Sequence, residues 1–436
     1  MEDTDVLVIG AGILGVASAY HILRNNPGKK VLVVDRYGAA GQGNTGRSNA
    51  MFRNTFSSRD NQILANASID YYIHTQNEAK KDIGLQQIGY LWLMSENQLS
   101  SSEPHLSSMQ GNGIETSRLS EPDLAHKIPG LVSDGDGTGQ ASFLGLPKIE
   151  AGVFGPKCGR LDPDKLTRYY AHLCTNLGGR FAFGTEAKRL HVGAKNRLGF
   201  EGEPFPWQDY EVTGVELDGR LQGTIHAGTV VLACGAWGNQ LLEPIGIDGH
   251  VKAKKRQLFS IRAESTPLQH LTHSKWFNSL GLLPLVILPK AGVHFKPVAE
   301  ERAFWAACED NVRPYLDIPD NDLESYRAEP EFYERSVKPV LSGYFPEFSG
   351  TLVKAMWAGL YSYNTLDYLP FAFREKSLIV VGGDSGSGIM KGDSLGRVVD
   401  ALYRNEEEAE LYGGAHYRVS KLSFEHRDVE REEWVI

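Results

Sequence analysis

The first 35 residues contain two short apolar runs on either side of a segment with helical spacing. The runs are DVLVIG (Asp5–Gly10) and KVLVVD (Lys30–Asp35), and their continuous apolar character is typical of parallel strands buried on both faces. Between them, the apolar positions of ILGVASAYHILRNN (Ile13–Asn26) follow a helical period, and a Pro-Gly pair ends the segment. Strand, helix and strand within about 30 residues predict a βαβ unit.

Two later runs have the same strand-then-glycine character, GTVVLACGAWG (Gly228–Gly238) and SLIVVGGDSGSGIM (Ser377–Met390). From Val251 to about Leu352, apolar and polar residues alternate instead, as in QLFSIRAES and VHFKPV. This alternation predicts an antiparallel sheet with one covered face. Because this β-rich block interrupts the α/β segments, we expect two interleaved domains rather than two consecutive ones.

The intervening segments are less regular. DPDKLTRYYAHLCTNLGG predicts a helix that begins after Asp162. Its buried face is expected to consist of Leu166, Tyr170, Leu173 and Leu177. Between Ser95 and Gly145 the chain is rich in Ser, Gly, Asp and Pro, so SENQLSSSEPHLSSMQGNG is expected to be a mobile surface segment.

Composition narrows the class of protein. The chain has 436 residues, which exceeds one ordinary domain, and its 41% hydrophobic and 23% charged residues are normal for a globular protein. A net charge of -9 argues against a broad nucleic-acid surface. KAKKR (Lys252–Arg256) is a local basic stretch, for which a solvated loop or strand end is the favoured interpretation over a basic pocket.

The four cysteines are Cys158, Cys174, Cys234 and Cys308. None belongs to a Cys-x-x-Cys pair, and none has a histidine at metal-ligand spacing. The sequence therefore predicts no metal site and no disulfide framework, which is typical of a reducing compartment. No signal peptide is expected, and no apolar run approaches the roughly 20 residues of a membrane span.

Gly10, Gly12 and Gly15 form a Gly-x-Gly-x-x-Gly pattern between the first strand and the first helix, and Asp35 ends the second strand. In this context the pattern indicates a dinucleotide site. Gly10 permits the tight turn, Gly12 lets the backbone approach a pyrophosphate at the helix N-terminus, and Gly15 allows close packing. Asp35 is placed to accept hydrogen bonds from a ribose. The alternative, a tight turn without a ligand, leaves this buried acid unexplained.

The loop itself fits NAD and FAD equally well. The segment that follows, RYGAAGQGNTGRSNAMFR (Arg36–Arg53), is polar and rich in glycine and contains Arg47. A segment of this kind favours an extended ligand, because a nicotinamide-binding domain more often continues with another regular βα unit.

The order of several motifs resembles the D-amino-acid oxidase and sarcosine oxidase superfamily of FAD-dependent amine oxidoreductases. These motifs are the loop that ends in Asp35, GNTGRSNAMFR, GRLDPDKLTRYYAHL, VVLACGAWG and GGDSGSGIMKGDSLGR, and together they span nearly the whole chain. Three pieces are similar to archaeal dye-linked L-proline dehydrogenases in particular, namely EGEPFPWQ (Glu201–Gln208), GSGIMKGDSLGR and ELYGG (Glu410–Gly414).

The resemblance implies an α/β, Rossmann-like FAD-binding domain interleaved with an α+β substrate domain built on a mostly antiparallel sheet. The FAD-binding domain is expected to comprise residues 1–90, 150–250 and 353–436. The substrate domain is expected to comprise residues 91–149 and 251–352.

The resemblance also assigns the two glycine loops to the two ends of FAD. The first loop and Asp35 would hold the ADP half, and the loop from Gly382 to Met390 would lie against the isoalloxazine ring. There, backbone N–H groups at a helix N-terminus would stabilise the negative charge of reduced flavin. The expected cofactor contacts are Gly10, Gly12, Ile13, Leu14, Gly15, Asp35, Arg36, Arg47, Ser48, Asn49, Ala50, Ala187, Cys234, Gly235, Trp237, Gly383, Gly386, Ser387, Gly388, Ile389 and Met390.

Similar flavoproteins often carry the flavin on a cysteine just before a motif like LYSYNTLD. In this chain that position is Gly359, with no cysteine nearby in the sequence. The resemblance therefore implies that FAD is bound without a covalent link.

Oxidation of an amino acid requires a neutral amine, a C–H bond aimed at the flavin and a cation for the carboxylate. By resemblance, Arg53 is the expected carboxylate clamp, and its fork suits bidentate binding. A second cation of the family falls on Met390, and Lys391 follows one residue later, which turns its side chain by about 100° on a helix. Lys391 is thus expected either at the substrate or facing phosphate or solvent.

Three further side chains complete the expected substrate site. Tyr361, in GLYSYNTLD, is expected to cover the substrate or touch the ring edge. His294 and Lys296, in VHFKPV, are expected to line the cavity from the β-rich domain.

The resulting prediction is an FAD enzyme that oxidises a secondary amino acid, L-proline in the first instance, by hydride transfer to flavin N5. The nearest alternative is the same chemistry on sarcosine, another N-alkyl glycine or a D-amino acid. Alternatives from other classes are a non-catalytic FAD-bound subunit of a redox complex and an NAD-linked dehydrogenase. We expect a cytoplasmic protein, which an electron acceptor of unknown identity could hold at a membrane surface, and either a homo- or a hetero-oligomer.

Overall fold

A computed structural model describes residues 4–316 and 326–434, and its strands fall mainly into two large sheets. In chain order the strands are β1 (Thr4–Ile9), β2 (Val31–Asp35), β3 (Met51–Phe52), β4 (Tyr90–Met94), β5 (Ser117–Ser120), β6 (Ala151–Gly155), β7 (Gly159–Arg160), β8 (Arg180–Phe183), β9 (Thr185–Ala194), β10 (Tyr210–Gly219), β11 (Gly223–Leu232), β12 (Val251–Arg262), β13 (Leu285–Ile287), β14 (His294–Val298), β15 (Ala303–Ala307), β16 (Val353–Asn364), β17 (Phe371–Glu375), β18 (Leu378–Gly382), β19 (Glu408–Glu410) and β20 (His416–Arg418).

The α-helices pack against these sheets. In chain order they are α1 (Ile13–Asn25), α2 (Arg59–Asn77), α3 (Glu96–Gly111), α4 (Glu121–Lys127), α5 (Ala141–Leu144), α6 (Pro163–Asn176), α7 (Gly238–Leu242), α8 (Thr266–Leu271), α9 (Pro330–Phe332), α10 (Lys338–Tyr344) and α11 (Gly392–Arg404). In the described part of the chain, no helix combines the length and the apolar character that crossing a membrane requires.

The first sheet has the strand order β17-β18-β11-β1-β2-β8. Its β18, β11, β1, β2 and β8 are parallel, β17 is an antiparallel edge, and β9 and β10 continue antiparallel from β11. The predicted βαβ unit is present as β1, α1 and β2. Val6 and Val8 of β1 face the cluster formed with the helices, and Leu7 and Ile9 face the opposite cluster, which explains the continuous apolar run.

Helix α11 lies directly on α1, which places the late glycine loop beside the first one. A Cβ at Gly396 would lie 2.8 Å from the backbone of Ala17, so the close approach requires a glycine there. Below this contact the buried carboxylate of Asp393 accepts hydrogen bonds from His21 Nε2 at 2.8 Å and Tyr170 Oη at 2.8 Å. Arg397 adds a third bond to the same carboxylate at 2.7 Å.

The second sheet has the order β16-β12-β15-β14-β13-β4-β6-β5 and is antiparallel except at the β13–β4 pair. The mixed α/β fold with a mostly antiparallel second sheet is confirmed. Two strands of the second sheet lie outside the residues predicted for the substrate domain. They are β6 (residues 151–155) and β16 (residues 353–364), and both ranges fall within the predicted FAD-binding domain. The KAKKR stretch lies at the start of β12, which is the strand end named among the expectations, but it is not fully solvated, because Lys254 in it is buried.

Two local expectations were wrong. The supposed mobile segment after Ser95 forms α3, because Ser95 and Gln98 make a reciprocal capping box and Leu106 and Met109 bury one face. Helix α6 does begin after Asp162, whose side chain caps it. Its buried face, however, consists of Leu166, Thr167, Tyr170 and Cys174, whereas Leu177 is exposed.

Candidate active site

A cavity of about 320 Å³, called the long cavity below, runs from the first glycine loop to the late one. Asp35 lies at one end, and Leu360 and Tyr361 lie at the other. The predicted cofactor residues that line it are Gly10, Gly12, Ile13, Leu14, Asp35, Arg36, Ser48, Ala187, Cys234, Gly235, Trp237, Gly386, Gly388 and Ile389. The structure thus brings both loops to one elongated cavity.

The shape of the first loop depends on its glycines. Gly10 has φ +103°, and a Cβ there would lie 2.5 Å from the carbonyl oxygen of Ala233. A Cβ at Gly15 would lie 1.8 Å from the carbonyl oxygen of Gly10. Gly12 precedes α1 and has no side chain to cap the helix, so the helix N-terminus faces the long cavity, with Thr45 Oγ1 accepting the N–H of Ile13 at 3.1 Å. Such an end suits an anionic group.

Asp35 ends β2 and lines the long cavity as expected. Its two carboxylate oxygens accept hydrogen bonds from the backbone N–H groups of Ala11 at 2.7 Å and Tyr37 at 2.8 Å. Burial raises its pKa. Each oxygen retains a further lone pair for a ligand hydroxyl. Asp35 therefore braces the glycine loop in addition to any bond to a ribose.

An aromatic and cationic wall adjoins Asp35. The Arg36 guanidinium lies 4.4 Å from the centroid of the Trp237 ring, and Trp237 Nε1 donates to Tyr326 Oη at 3.1 Å. Cys234 donates to the carbonyl of Ile9 at 3.5 Å, and burial raises its pKa to about 12. The wall offers flat surfaces to an aromatic base, whereas Cys234 is an unreactive packing group.

Two smaller cavities adjoin the far end of the long cavity. The Arg256 cavity, of about 50 Å³, is lined by Arg256, His294 and Cys308 among others. The Arg53 cavity, of about 90 Å³, is lined by Arg53, Tyr90 and Glu432 among others. Tyr361 lines all three cavities and therefore marks their junction, where a substrate would meet the ring end of a cofactor.

The other predicted cofactor residues lie around this junction. Arg47 lines the Arg256 cavity, Asn49 lines both small cavities, and Ala50, Ser387 and Met390 line the Arg53 cavity. Gly15 and Gly383 line none of the three cavities, as the described residues define them. Both are packing positions, since a Cβ at Gly383 would lie 2.6 Å from the Phe371 ring.

Arg53 lines its cavity, but its guanidinium is already bonded to the protein. Nη1 donates to the carbonyl of Thr55, and Nη2 donates to the carbonyl of Trp434 at 2.6 Å. The guanidinium carbon also lies 4.1 Å from the centroid of the Phe56 ring. Its role as the carboxylate clamp stays a prediction, and its side chain has structural partners that the sequence did not indicate.

Lys391 is fully buried just behind the cavity wall. Its Nζ donates to Ser387 Oγ at 2.5 Å and lies 4.6 Å from the centroid of the Phe56 ring. Burial lowers its pKa to about 7. Ser387 separates Lys391 from the cavity, so any effect of Lys391 on a substrate passes through the Ser387 hydroxyl.

His294 and Lys296 lie on β14 but differ in exposure to the cavities. His294 lines both small cavities, bonds the carbonyl of Gly292 through Nδ1 at 2.9 Å, and has a pKa that burial lowers to about 4. Lys296 donates instead to the carbonyl of Asn49 at 2.6 Å and lines none of the three cavities as described. Lys296 supports a cavity wall.

Several site residues were not among the sequence expectations. Thr45 Oγ1 accepts from the N–H of Ile13 at 3.1 Å, and Asn44 Oδ1 accepts from the N–H of Leu360 at 2.9 Å. The carboxylate of Asp384 accepts a hydrogen bond from Ser362 Oγ and occupies the space that a Cβ at Gly388 would need. The polar segment around Arg47 was a signal for Asn44 and Thr45. No local pattern distinguished Asp384 from an ordinary turn residue.

Comparison with protein families decides the assignment. The DAO family, described as FAD dependent oxidoreductase, matches residues 5–402 of the chain. The chain belongs to this family. Its members' cofactor is FAD, so the enzyme is an FAD-dependent oxidoreductase, and the long cavity is its candidate FAD site.

Individual relatives are distant but similar over most of their length. FAD-dependent oxidoreductase domain-containing protein 1 of Xenopus laevis is 23% identical over 427 residues, which cover 92% of this chain and 79% of that protein. L-proline dehydrogenase from P. horikoshii has a TM-score of 0.71 at 20% identity, covering 93% of this chain and 94% of that one. Glycine oxidase from Geobacillus kaustophilus has a TM-score of 0.69 at 19% identity, covering 93% and 96%. These likenesses show the fold.

FAD fits the groups that line the long cavity. The N-terminus of α1, where Thr45 bonds the N–H of Ile13, suits the pyrophosphate, and the Asp35 carboxylate suits a ribose. At the other end, a Cβ at Gly386 would lie 2.2 Å from the Tyr361 ring, so the late loop has no space for a side chain at this position beside the ring site. The absence of side chains there leaves room for a flat ring system.

We predict that FAD is released by denaturation. Gly359 supplies no nucleophile, and Cys308, which lines the Arg256 cavity with Gly359, has a pKa that burial raises to about 12. Cys308 therefore stays a thiol, which is a poor nucleophile. Acid precipitation of the purified yellow protein should give a colourless pellet. Yellow colour in the wild-type pellet that disappears in Cys308→Ala would contradict the prediction and identify the attachment site.

Proposed function

We propose that this protein oxidises a secondary amino acid, L-proline to 1-pyrroline-5-carboxylate, and passes the electrons to a carrier that an artificial dye replaces in the assay. The observation that carries the proposal is the junction at Tyr361, where two small cavities, each lined by an arginine, open beside the ring end of the candidate FAD site. The motifs shared with L-proline dehydrogenases, and the likeness to the fold of the P. horikoshii enzyme, support the choice of substrate.

The cavity size and charge suit a small amino acid. The two small cavities measure about 50 and 90 Å³, and a protein group with a positive charge lines each. A carboxylate entering from solvent gains a charge-assisted hydrogen bond in this setting. The remaining walls, which include Tyr361 and Phe56, provide apolar surface for a short hydrocarbon chain or ring.

When bound, FAD would supply the acceptor for a hydride that leaves a carbon next to the substrate nitrogen. The protein must present the neutral amine, because an ammonium has no lone pair with which to form the imine. Ser387 Oγ lines the Arg53 cavity and is bonded to Lys391, whose pKa of about 7 leaves a large neutral fraction at neutral pH. The pair is therefore able to hold the proton that the substrate ammonium releases.

The nearest alternative is the same chemistry on sarcosine, another N-alkyl glycine or a D-amino acid. The likeness to the fold of glycine oxidase and the small volume of the cavities favour this alternative. It differs from the proposal only in the carbon chain attached to the nitrogen.

The test is anaerobic reduction of the bound flavin, followed by dye reduction, for L-proline, D-proline, sarcosine and glycine. We expect L-proline to bleach the flavin and to give the highest kcat/KM with the dye. Bleaching by sarcosine or D-proline but not by L-proline would establish the alternative. Failure of every amino acid in a protein that retains FAD would contradict an amino acid substrate.

A further inference from the structure

Arg256 has an unused hydrogen-bond donor inside the active-site region. It lies on β12 opposite Gly359 of β16, and its Nη2 donates to Tyr363 Oη at 2.5 Å. Its Nη1 is closed off from solvent and has no hydrogen-bond partner among the described residues. A buried guanidinium donor without a partner is unfavourable, because it has given up its bonds to water without replacing them. This arrangement points to a ligand that completes it.

The surroundings of Arg256 favour an anionic ligand. Tyr361 and Tyr363 hold the guanidinium by their ring faces, with centroids 5.3 and 5.6 Å from its central carbon. His294, which also lines this cavity, carries no competing charge at neutral pH because burial lowers its pKa to about 4. A carboxylate of the protein, that of Glu309, also lines this cavity; it accepts a hydrogen bond from Asn311 at 2.7 Å and makes no ion pair with Arg256 among the described residues, so Nη1 remains open to a ligand.

The other cations at the junction have protein partners for their donors. Arg53 donates to two backbone carbonyls, and Lys391 donates to Ser387. Lys296 donates to the carbonyl of Asn49. Arg47, which lines the Arg256 cavity, donates to the carbonyl of Gln42 at 2.7 Å. Among the cations described at the junction, Arg256 is thus the one with a solvent-excluded end nitrogen that lacks a partner. Its cavity shares Ser48, Leu360 and Tyr361 with the long cavity, so a group bound to Arg256 lies beside the ring end of the FAD site.

We propose that Arg256, supported by Tyr363, binds the substrate carboxylate and so makes the enzyme specific for amino acids over simple amines. Nη1 supplies the donor, and Tyr363 fixes the orientation of the fork from the other side. The inference rests on the proposed function, because it identifies the group that recognises the acid end of the substrate. It moves the clamp from Arg53 to the second sheet.

The experiment compares Arg256→Gln and Arg256→Lys with the wild-type holoenzyme. The matched control is Arg262→Gln on the same strand, where the arginine is exposed and paired with Glu264 at 2.9 Å. Binding is followed without turnover, as the change in flavin absorbance on titration with tetrahydrofuran-2-carboxylate, the ether analogue of L-proline. Turnover is followed as the dye-linked kcat/KM for L-proline and for pyrrolidine, which lacks the carboxylate.

We expect Arg256→Gln to weaken the binding of the carboxylate analogue roughly ten- to a hundredfold and to raise the KM for L-proline by a similar factor. The kcat/KM for pyrrolidine should change less than threefold. Arg256→Lys should recover only part of the affinity, since an ammonium does not reproduce the fork. Arg256→Lys also serves as the second test variant if the Arg256→Gln protein does not fold. Arg262→Gln should match the wild type.

An unchanged affinity for the analogue in both Arg256 variants, with FAD retained, would overturn the inference. So would equal losses on L-proline and pyrrolidine. The result is separable from the proposed function. If no amino acid is oxidised but the analogue binds to the wild type and not to Arg256→Gln, the carboxylate site stands and the proposed reaction fails. If L-proline is oxidised and Arg256→Gln is unimpaired, the reaction stands and the inference fails.

Discussion

Gly15→Ala should abolish FAD retention. The added Cβ would lie 1.8 Å from the carbonyl oxygen of Gly10, and this atom belongs to the backbone, so it has no rotamer by which to move away. The clash must separate α1 from β1 or distort the turn that is predicted to hold the pyrophosphate. We expect FAD affinity to fall more than a hundredfold and the free energy of unfolding to fall by about 1–3 kcal/mol, as for an overpacked core.

The control for this prediction is Gly111→Ala at the end of α3. No atom lies within 4 Å of a Cβ built there, and the residue is already helical, so the substitution should leave FAD affinity unchanged and stability equal or slightly higher. Affinity is measured by titrating apoprotein with FAD, and stability by denaturant unfolding. A Gly15→Ala protein that binds FAD as tightly as the wild type would refute the placement of the pyrophosphate at this turn.

The parts of the fold that the sequence predicted are those with a dense local signal. The spacing of Gly10, Gly12 and Gly15 and the position of Asp35 all lie within one βαβ unit, where strand and helix contacts join residues close in sequence. The alternating block after Val251 likewise predicted the second sheet, because alternation is the direct result of one covered face.

The assignment of α3 failed for a reason that a local composition argument does not detect. Seven of the residues between Ser95 and Ser108 are serine or proline, which usually indicates a loop. The Ser95–Gln98 capping box starts the helix, and tertiary packing of Leu99, Leu106 and Met109 then stabilises it despite Pro104. Packing partners of this kind lie far away in sequence, so propensity alone gave the wrong result.

The chemistry at the junction was only partly predictable for the same reason. Tyr361 and Met390 lie in motifs near the late loop, and the resemblance located both. Arg256 belongs to the basic stretch KAKKR, for which a solvated loop or strand end is the favoured interpretation from the sequence. Nothing local in the sequence indicates that β16 and Tyr363 enclose Arg256. Glu432 and Trp434 reach the site from the far end of the chain, across more than 370 residues from Ser57 and Arg53.

The C-terminal segment is held at the site by Arg53 and by Glu432. Glu432 accepts hydrogen bonds from the N–H groups of Ser57 at 2.9 Å and Ser58 at 3.2 Å. Trp434 packs edge-on against Trp92 with ring centroids 5.5 Å apart, and its carbonyl accepts from Arg53. Arg53 therefore joins the segment after Met51 to the end of the described chain.

Arg53→Ala is consequently expected to destabilise the protein and to release this C-terminal segment. Loss of the guanidinium leaves two buried carbonyls, those of Thr55 and Trp434, without a donor, and each should lower the free energy of unfolding by about 1–3 kcal/mol. Arg53→Lys should restore only part of this stability, because an ammonium does not reproduce the fork. Thermal unfolding and limited proteolysis measure the effect, with Arg118→Ala, an exposed arginine near Glu103, as the control. If Arg53 is structural, kcat/KM for L-proline and for pyrrolidine should fall together. A large rise in the KM for L-proline alone, with unchanged thermal stability, would instead restore Arg53 as the carboxylate clamp and leave Arg256 with a supporting role.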